Sequence, residues 1–258
     1  MRPTLPRTFL HLFPGLAAAA LLAACAAAPG PDGINDPMEP ANRAVHGLNK
    51  GLDRVAVRPA ATVYGAVVPK PVRAGISNVA DTLELPGDIA NQLLQGKIGD
   101  AATNTLRLGA NLTLGLGGLV DFASAAGMPE LDTDFGETLA VWGVGEGPYV
   151  ELPVFGPSTL RDATGRVVDI VFDPVGRALK GGDASAATVT NALDKLNQRH
   201  EHSDTIDSLL YESADSYAQL RLIYLQNRRY ELGQNAGAAG DAASDAGYID
   251  PYEDPYAQ

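Results

Sequence analysis

The sequence predicts a mostly α-helical protein. Three observations carry that expectation: apolar residues recur at spacings of three and four in several segments, those segments carry capping or breaking residues at their ends, and alternating strand patterns are scarce. With 45% hydrophobic residues among 258, the chain has enough apolar side chain for a packed fold, which excludes global disorder. Its length suits one large domain or two small ones. The charge balance, 31 acidic against 19 basic residues for a net −12, argues against a nucleic-acid binder, and no basic cluster offsets it.

Residues 1–24 read as an address rather than as fold. Arg2 and Arg7 supply a positive start without an acid, and an Ala-rich apolar stretch occupies residues 16–22. Pro14 and the short apolar length exclude a transmembrane helix. The stretch ends Leu22-Ala23-Ala24-Cys25, which resembles a lipobox: the thiol is diacylated, the leader is cut away, and the cysteine becomes the new N-terminus. Cys25 is the only cysteine, so an internal disulfide framework and a thiolate zinc cage are excluded; a plain free thiol is the alternative. Acyl chains contribute about 0.8 kcal/mol per buried methylene, enough together for a durable tether without a spanning segment. Ala26 rather than aspartate follows the cysteine, which leaves the outer membrane as the expected destination.

Residues 25–35, rich in Ala, Pro and Gly, are expected to form a lipidated tether, and residues 36–232 the helical domain. The first helix carries Val45, Leu48, Leu52 and Val55 as one stripe. A second is expected to open near Asp88 and stop at Gly96, bearing Ile89, Leu93 and Leu94, and Asp100 to cap a third that runs to Gly109. Residues 108–120 are the longest uncharged run after the leader, thirteen residues with four glycines. Spanning a bilayer takes about twenty, so this run does not cross one, and its glycines suit bends and close backbone approach. The best strand candidate is an irregular Gly-rich hairpin over residues 139–152. The cleanest helix starts at Thr159, where Asp162 completes a capping-box-like start, and Asp173-Pro174 ends it. Leu160, Ala163, Val167 and Val171 form one face of it, Asp162, Arg166, Asp169 and Asp173 the other. A last helix is expected over residues 205–230, with Ile206, Leu210, Tyr217, Leu220 and Tyr224 near heptad spacing. Residues 233–258 hold five acids and no base, with Asp250-Pro251-Tyr252 and Asp254-Pro255-Tyr256; by composition this is an acidic disordered tail, or else a docking segment.

No catalytic pattern emerges. Gly156-Pro157-Ser158-Thr159-Leu160 lacks the closing glycine of a nucleophile elbow. His200-Glu201-His202 is not His-Glu-x-x-His, and on a helix its histidines point apart, so it reads as a solvated segment before the last helix rather than a metal site. Gly143, Gly145 and Gly147 alternate without completing a dinucleotide fingerprint, and His46 has no obvious triad partner. No catalytic residue, metal or cofactor is expected.

Three stretches together carry a family resemblance. The first is Asp36-Pro37-Met38-Glu39-Pro40-Ala41-Asn42-Arg43, with Val57-Arg58-Pro59-Ala60 beyond it. The second is Asn111-Leu112-Thr113-Leu114-Gly115-Leu116-Gly117-Gly118-Leu119-Val120-Asp121. The third runs from Asp134-Phe135-Gly136-Glu137-Thr138 through Trp142-Gly143-Val144-Gly145-Glu146-Gly147-Pro148-Tyr149 to Gly156-Pro157-Ser158-Thr159-Leu160-Arg161-Asp162. They resemble the MlaA (VacJ) outer-membrane lipoproteins, and the likeness covers roughly residues 36–230. Ala41, Glu137 and Ala140 depart from the usual pattern; the last stands where a glycine is usual and would stiffen the hairpin if that position needed positive φ.

The resemblance implies a ring of amphipathic helices lying in the periplasmic leaflet of the outer membrane around a polar channel. It implies phospholipid as cargo, a trimeric porin as partner, and a soluble periplasmic carrier (MlaC-like) as recipient. Misplaced phospholipid would leave the outer leaflet by this route and return toward the inner membrane. On this reading Asn42, Arg43, Asn49 and Asp53 line the channel, while Arg107 and Asp121, which bracket the uncharged run, mark headgroup level. Gly136, Gly143, Gly145 and Gly147 make the hairpin flexible, with Trp142 and Tyr149 at the interface; the alternative is a tight turn with packed aromatics. Periodicity alone is equally compatible with stripes that face an ordinary core. The competing functional reading is a structural lipoprotein that scaffolds porins without moving lipid.

Overall fold

The computed structural model describes residues 34–179 and 182–233. Cys25, the tether up to residue 33 and the acidic tail from residue 234 lie outside the described residues. The described chain is mostly helical, with one two-stranded sheet.

Helix α1 (Glu39–Leu52) runs through a π-helical turn (Asp53–Val57) into α2 (Arg58–Val67). Pro59 has no N–H to give and its ring crowds the carbonyl four residues back, so the widened turn before it lets the helix continue. Val68 is extended ahead of Pro69, which ends α2.

Helix α3 spans Lys70–Leu94. The expected opening near Asp88 is therefore overturned: Asp88 lies mid-helix and the helix begins eighteen residues earlier. Pro71 sits in the first turn, where a missing N–H costs nothing, and the interior Pro86 is tolerated. Gly96 follows the helix with φ +76°, the expected stop.

Helix α4 (Ile98–Thr113) outruns Gly109, and Asp100 occupies its first turn rather than the cap. Leu116, Gly117 and Gly118 then take φ of 56°, 75° and 92° and reverse the chain. A Cβ at Gly118 would stand 2.9 Å from Thr82 Oγ1, so glycine lets this turn pack on α3. The short α5 (Phe122–Ala125) is capped by Asp121, which accepts from Ser124 N–H at 3.1 Å.

The first three residues of the expected hairpin, 139–141, belong to a helix, α6 (Phe135–Val141), capped by Asp134 accepting from Glu137 N–H at 2.7 Å. Ala140 lies inside it, away from positive φ. The strands come later: β1 (Tyr149–Leu152) pairs antiparallel with β2 (Gly156–Thr159), Tyr149 opposite Thr159 and Leu152 opposite Gly156. Helix α7 (Leu160–Phe172) follows the expectation. Thr159 Oγ1 accepts from Asp162 N–H at 3.2 Å and donates to the Asp162 carboxylate at 2.8 Å. Asp173 then caps α8 (Pro174–Ala178).

The unanticipated α9 (Gly182–Glu201) includes His200 and Glu201 in its last turn. A Cβ on Gly65 would stand 2.2 Å from the His200 ring, so α2 and α9 touch there. The expected last helix is broken into α10 (Ser203–Asp207), a π-helical turn (Ser208–Glu212) and α11 (Ser216–Glu231). Ser213 is extended and Asp215 caps α11 by accepting from Ala218 N–H, so local capping wins over the heptad-like pattern. Helix α3 packs against α4 and α9, α9 against α2, α6 against α7, and α1 against β1. The apolar core is small: Tyr149, Tyr217 and Leu225, with Ile34 and Tyr224 against them.

Candidate functional site

The interior is polar and the exterior apolar. Asn104, Arg107 and Asn111 are 0%, 3% and 3% exposed, whereas Val55, Leu106 and Phe172 are 80%, 64% and 62% exposed. Among the described residues, buried polar and charged side chains outnumber buried apolar ones, the reverse of a water-soluble domain. Helix α7 shows the inversion within one element. Arg161, Asp162 and Gly165 face inward, while Val167, Ile170 and Val171 face outward. The stripes of the first helix and of α7 thus lie largely on the outside, whereas Tyr217 and Tyr224 of the last-helix stripe turn to the core, and no described helix is long and apolar enough to cross a membrane.

Hydrogen bonds and ion pairs bind the interior in three clusters. In the first, Asp36 accepts from Asn42 at 2.8 Å, Arg221 at 2.7 Å and the Tyr217 hydroxyl. Asn42 also donates to Tyr149 O and accepts from Glu151 N–H. His46 lies between Glu151 (3.3 Å) and Ser216 (3.0 Å), so the fold supplies the partners that the sequence did not reveal. All three are buried, and none lines either cavity described below; Glu151 also takes the Tyr149 hydroxyl. In the second cluster, Arg199 grips Asp53 at 2.8 and 2.9 Å and Asp207 at 2.6 Å, and Tyr211 donates to Asp53 at 2.7 Å. Burial pulls the Asp53 carboxyl upward, but the bonds from Arg199 and Tyr211 prevail and hold it below the ordinary aspartate value. In the third, Arg228 reaches Asp134 at 2.6 Å and Asp162 at 3.3 Å, and Tyr224 donates to Asp162 at 2.7 Å. Asp162 is likewise lowered: burial opposes, and Arg228 with Tyr224 outweighs it.

Two cavities open inside this framework. The smaller, about 310 Å³, lies between α3, α4, the segment after α5, and α9; Asp81, Glu84, Arg107, Asp121, Glu130 and Asp132 line it with Lys195. The larger, about 890 Å³, lies between α3 and the α6–α9 region. Asp88, Asn91 and Asp169 form its polar side, and Leu94, Phe135, Trp142, Ile170 and Phe172 its apolar side; Leu94, Trp142, Ile170 and Phe172 are also exposed, so this cavity opens onto the apolar exterior. Glu84 walls both. Within the smaller cavity, burial works to raise Asp121, but hydrogen bonds from Ser124 and Asn111 and the charge of Arg107 hold it low. The α3 acids go the other way. Burial, then Asp194, Glu130, Glu84 and Asp132, push Asp81 up to about 7; Glu84 is also raised, by burial against the pull of Lys195. Burial raises Asp88 to about 8 against one bond from Thr133 N–H.

Of the residues expected at a channel, the structure brings Arg107 and Asp121 together on the smaller cavity, 3.5 Å apart. The four first-helix residues are engaged elsewhere. Asn42 and Asp53 belong to the clusters above. Arg43 pairs with Glu39 and Asp215, and Asn49 clamps the strand turn by donating to Leu152 O at 2.9 Å and accepting from Val154 N–H at 2.7 Å. Gly136 is not a loop residue: it is buried in α6, where a Cβ on the facing Gly165 would stand 2.2 Å from its nitrogen. Gly143 and Gly147 do take positive φ, 87° and 70°, while Gly145 does not. Trp142 is exposed and donates to Leu94 O, but Tyr149 is buried in the apolar core. Sequence reading missed Asp81, Glu84 and Asp88. The signal was present as a polar stripe on α3, Asp81, Glu84, Asp88, Asn91 and Gln95, at spacings of three and four.

Comparisons with known proteins agree with this geometry. A family profile described as MlaA lipoprotein matches residues 34–231. The chain is 36% identical over 244 residues to the intermembrane phospholipid transport system lipoprotein MlaA of Escherichia coli (strain K12), covering 92% of this chain and 90% of that protein. It is 33% identical over 202 residues to the protein of the same name from Haemophilus influenzae, covering 77% and 79%. A solved structure described as the structural basis for maintenance of bacterial outer membrane lipid asymmetry matches with a TM-score of 0.65 and 33% identity, covering 76% of this chain and 98% of that one.

Proposed function

This chain belongs to the MlaA lipoprotein family, and from that membership we infer that it is an outer-membrane lipoprotein of intermembrane phospholipid transport, maintaining lipid asymmetry. Its helices lie in the periplasmic leaflet with their apolar faces against acyl chains. Phospholipid misplaced in the outer leaflet passes through the polar interior to a soluble periplasmic carrier, beside a trimeric porin. Acylation at Cys25 anchors the chain, residues 25–35 tether it, residues 36–232 form the lipid-handling domain, and residues 233–258 trail from it.

The inverted surface is the observation that supports this reading. Apolar side chains on the outside are costly in water and favourable in a leaflet, while charges moved inward escape the hydrocarbon. A polar-walled cavity, with a larger one beside it that has a polar and an apolar side, then offers a headgroup and its chains a path that hydrocarbon alone does not. The test measures outer-leaflet phospholipid in a strain lacking this protein, with surface-accessible phospholipase or a headgroup-reactive probe, and with complementation. Accumulation that the full chain clears supports transport. An unchanged surface refutes it and leaves a scaffolding role.

A further inference from the structure

Two turns share a backbone conformation that is unfavourable for the residues adopting it. Among the described residues, Leu116 (φ 56°) and Val154 (φ 71°) are the only non-glycine residues with positive φ. The left-handed region crowds a Cβ against the backbone, most of all in a β-branched residue such as valine. Glycine or asparagine takes such positions far more readily. Both residues here are instead large and apolar, and both face outward: Leu116 is 71% and Val154 73% exposed. An exposed side chain makes few contacts that could offset the strain within the fold.

Their neighbours repeat the pattern. Leu114, Leu119 and Val120 flank the first tip and Phe155 the second, all exposed. Neither segment carries charge: residues 108–120 and 152–160 hold no ionisable side chain. Both turns also satisfy much of their own backbone. In the first, the N–H groups of Leu114, Gly115, Gly117, Gly118 and Val120 donate to carbonyls of residues 110–115 at 2.8–3.1 Å, and Leu119 O accepts from Asn78 at 3.0 Å. In the second, Pro153 has no N–H, and Asn49 engages both Leu152 O and Val154 N–H. A loop in water can leave such groups to solvent, whereas one in hydrocarbon has to pair them internally.

We propose that the tips at residues 114–120 and 153–155 are the points where the chain inserts into the acyl region of the leaflet, their occupant being phospholipid hydrocarbon. This rests on the leaflet placement above and adds which parts of the surface enter. Insertion removes the apolar tips from water, and no charge has to follow them. A protein partner brings a polar rim as well, and these uncharged segments offer it no counterpart. At the base of the second tip the Arg166 guanidinium lies 5.1 Å from the Phe155 ring, where its long stem lets the charge reach headgroup level. Asn49 holds this tip in its strained form.

Cys25 is the one native cysteine, so in the full acylated protein an introduced thiol is the single labelling site. Leu116→Cys, Leu119→Cys, Val154→Cys and Phe155→Cys are each labelled with a nitrobenzoxadiazole probe and reconstituted in phospholipid vesicles. These side chains are exposed, so all four variants should melt in detergent close to wild type. Probes at both tips should emit to the blue of a probe at Asp204→Cys, an exposed acidic position. Spin labels on the acyl chain should quench them about twofold more than spin labels on the headgroup, as burial by ~5–10 Å requires. Water-like emission from both positions of a tip overturns insertion of that tip. Blue-shifted emission that acyl spin labels leave unquenched means that protein covers the tip, and overturns hydrocarbon as its occupant. Tips in water on a chain that still clears outer-leaflet phospholipid remove this inference alone; inserted tips on a chain that clears none remove the transport reading and leave insertion standing.

Discussion

Asp53 separates a structural from a transport role. Its carboxylate is 13% exposed and pairs with an Arg199 that is 7% exposed, through two bonds of 2.8 and 2.9 Å, with Tyr211 adding a third at 2.7 Å. Asp53→Leu removes all three and leaves Arg199 with Asp207 alone. Breaking a buried pair costs about 3–5 kcal/mol, and the surviving Asp207 contact lowers the expectation to about 2–4 kcal/mol. For a domain of this size that is a fall of roughly 5–15 °C in melting temperature, followed by circular dichroism of the acylated protein in detergent. Asp53→Asn retains a hydrogen bond to Tyr211 and one to Arg199, and should lose about 1–2 kcal/mol. The pH dependence has a definite sign. The folded carboxyl sits below its unfolded value, so its contribution is present above pH ~4 and lost as pH falls through the folded value; the wild-type advantage should shrink under acid. A variant that melts like wild type yet fails to clear outer-leaflet phospholipid would refute this reasoning and return Asp53 to the channel.

Other expectations follow from the same geometry. Asp88 is raised to about 8 in the fold, so the folded state holds its proton longer and wild type should lose about 2–4 kcal/mol relative to Asp88→Asn between pH 5 and 8, read as urea midpoints at the two pH values. Gly165→Ala places a Cβ 2.2 Å from Gly136 N and 2.6 Å from its Cα, and should destabilise by about 1–3 kcal/mol, while Gly109→Ala, with nothing within 4 Å, should stabilise by about 0.5–1 kcal/mol; thermal melts decide both. Ile170→Lys and Phe172→Lys, at positions 61% and 62% exposed, should leave the fold intact in detergent yet weaken partition into vesicles by up to about 3 kcal/mol each, measured by flotation. Thr159→Ala removes the cap of α7 and should cost about 1 kcal/mol in the same melts.

Legibility followed the range of the forces. The start and stop of α7 were readable because Thr159, Asp162 and Asp173-Pro174 act within a few residues. Helix α3 was not: Pro71 and Pro86 look like breakers, and the helix they interrupt is supported by α4 and α9 from a distance. Residues 139–152 read as a hairpin from their glycines, although Asp134 with Glu137 three residues on was a helix start in plain view. Arg107 and Asp121 stood out because they flank an uncharged run, and the fold sets them together on the smaller cavity. Asn42 and Asn49 were read as lining because they stand on a polar face; their partners are more than a hundred residues away, at Tyr149 and Leu152. The α3 stripe had the right spacing, but nothing local distinguishes acids that face a cavity from acids that face water.

That last ambiguity is inherent to amphipathic patterning. Apolar and polar residues separate onto opposite faces of a helix in the same way whether the apolar face meets a core or a lipid, so the choice rests on what the inward face can bond to. Here Asp162 and Gly165 point in because Arg228, Tyr224 and Gly136 wait for them, and Arg161 turns in beside Asp162, to which its Nε donates. A buried ion pair stabilises less than an apolar core in a protein surrounded by water, since desolvation cancels most of the attraction. In a leaflet the comparison changes. For helices whose outer face lies against hydrocarbon, burying apolar surface between helices gains little, and low dielectric strengthens each satisfied polar contact. In such a setting a small apolar core like that of Tyr149, Tyr217 and Leu225 suffices, because Asp36, Asp53 and Asp162 with their arginines hold the helices from within. On the smaller cavity Asp121 is held in the same way, by Arg107, Asn111 and Ser124, while Asp81, Glu84, Glu130 and Asp132 stand exposed at its wall.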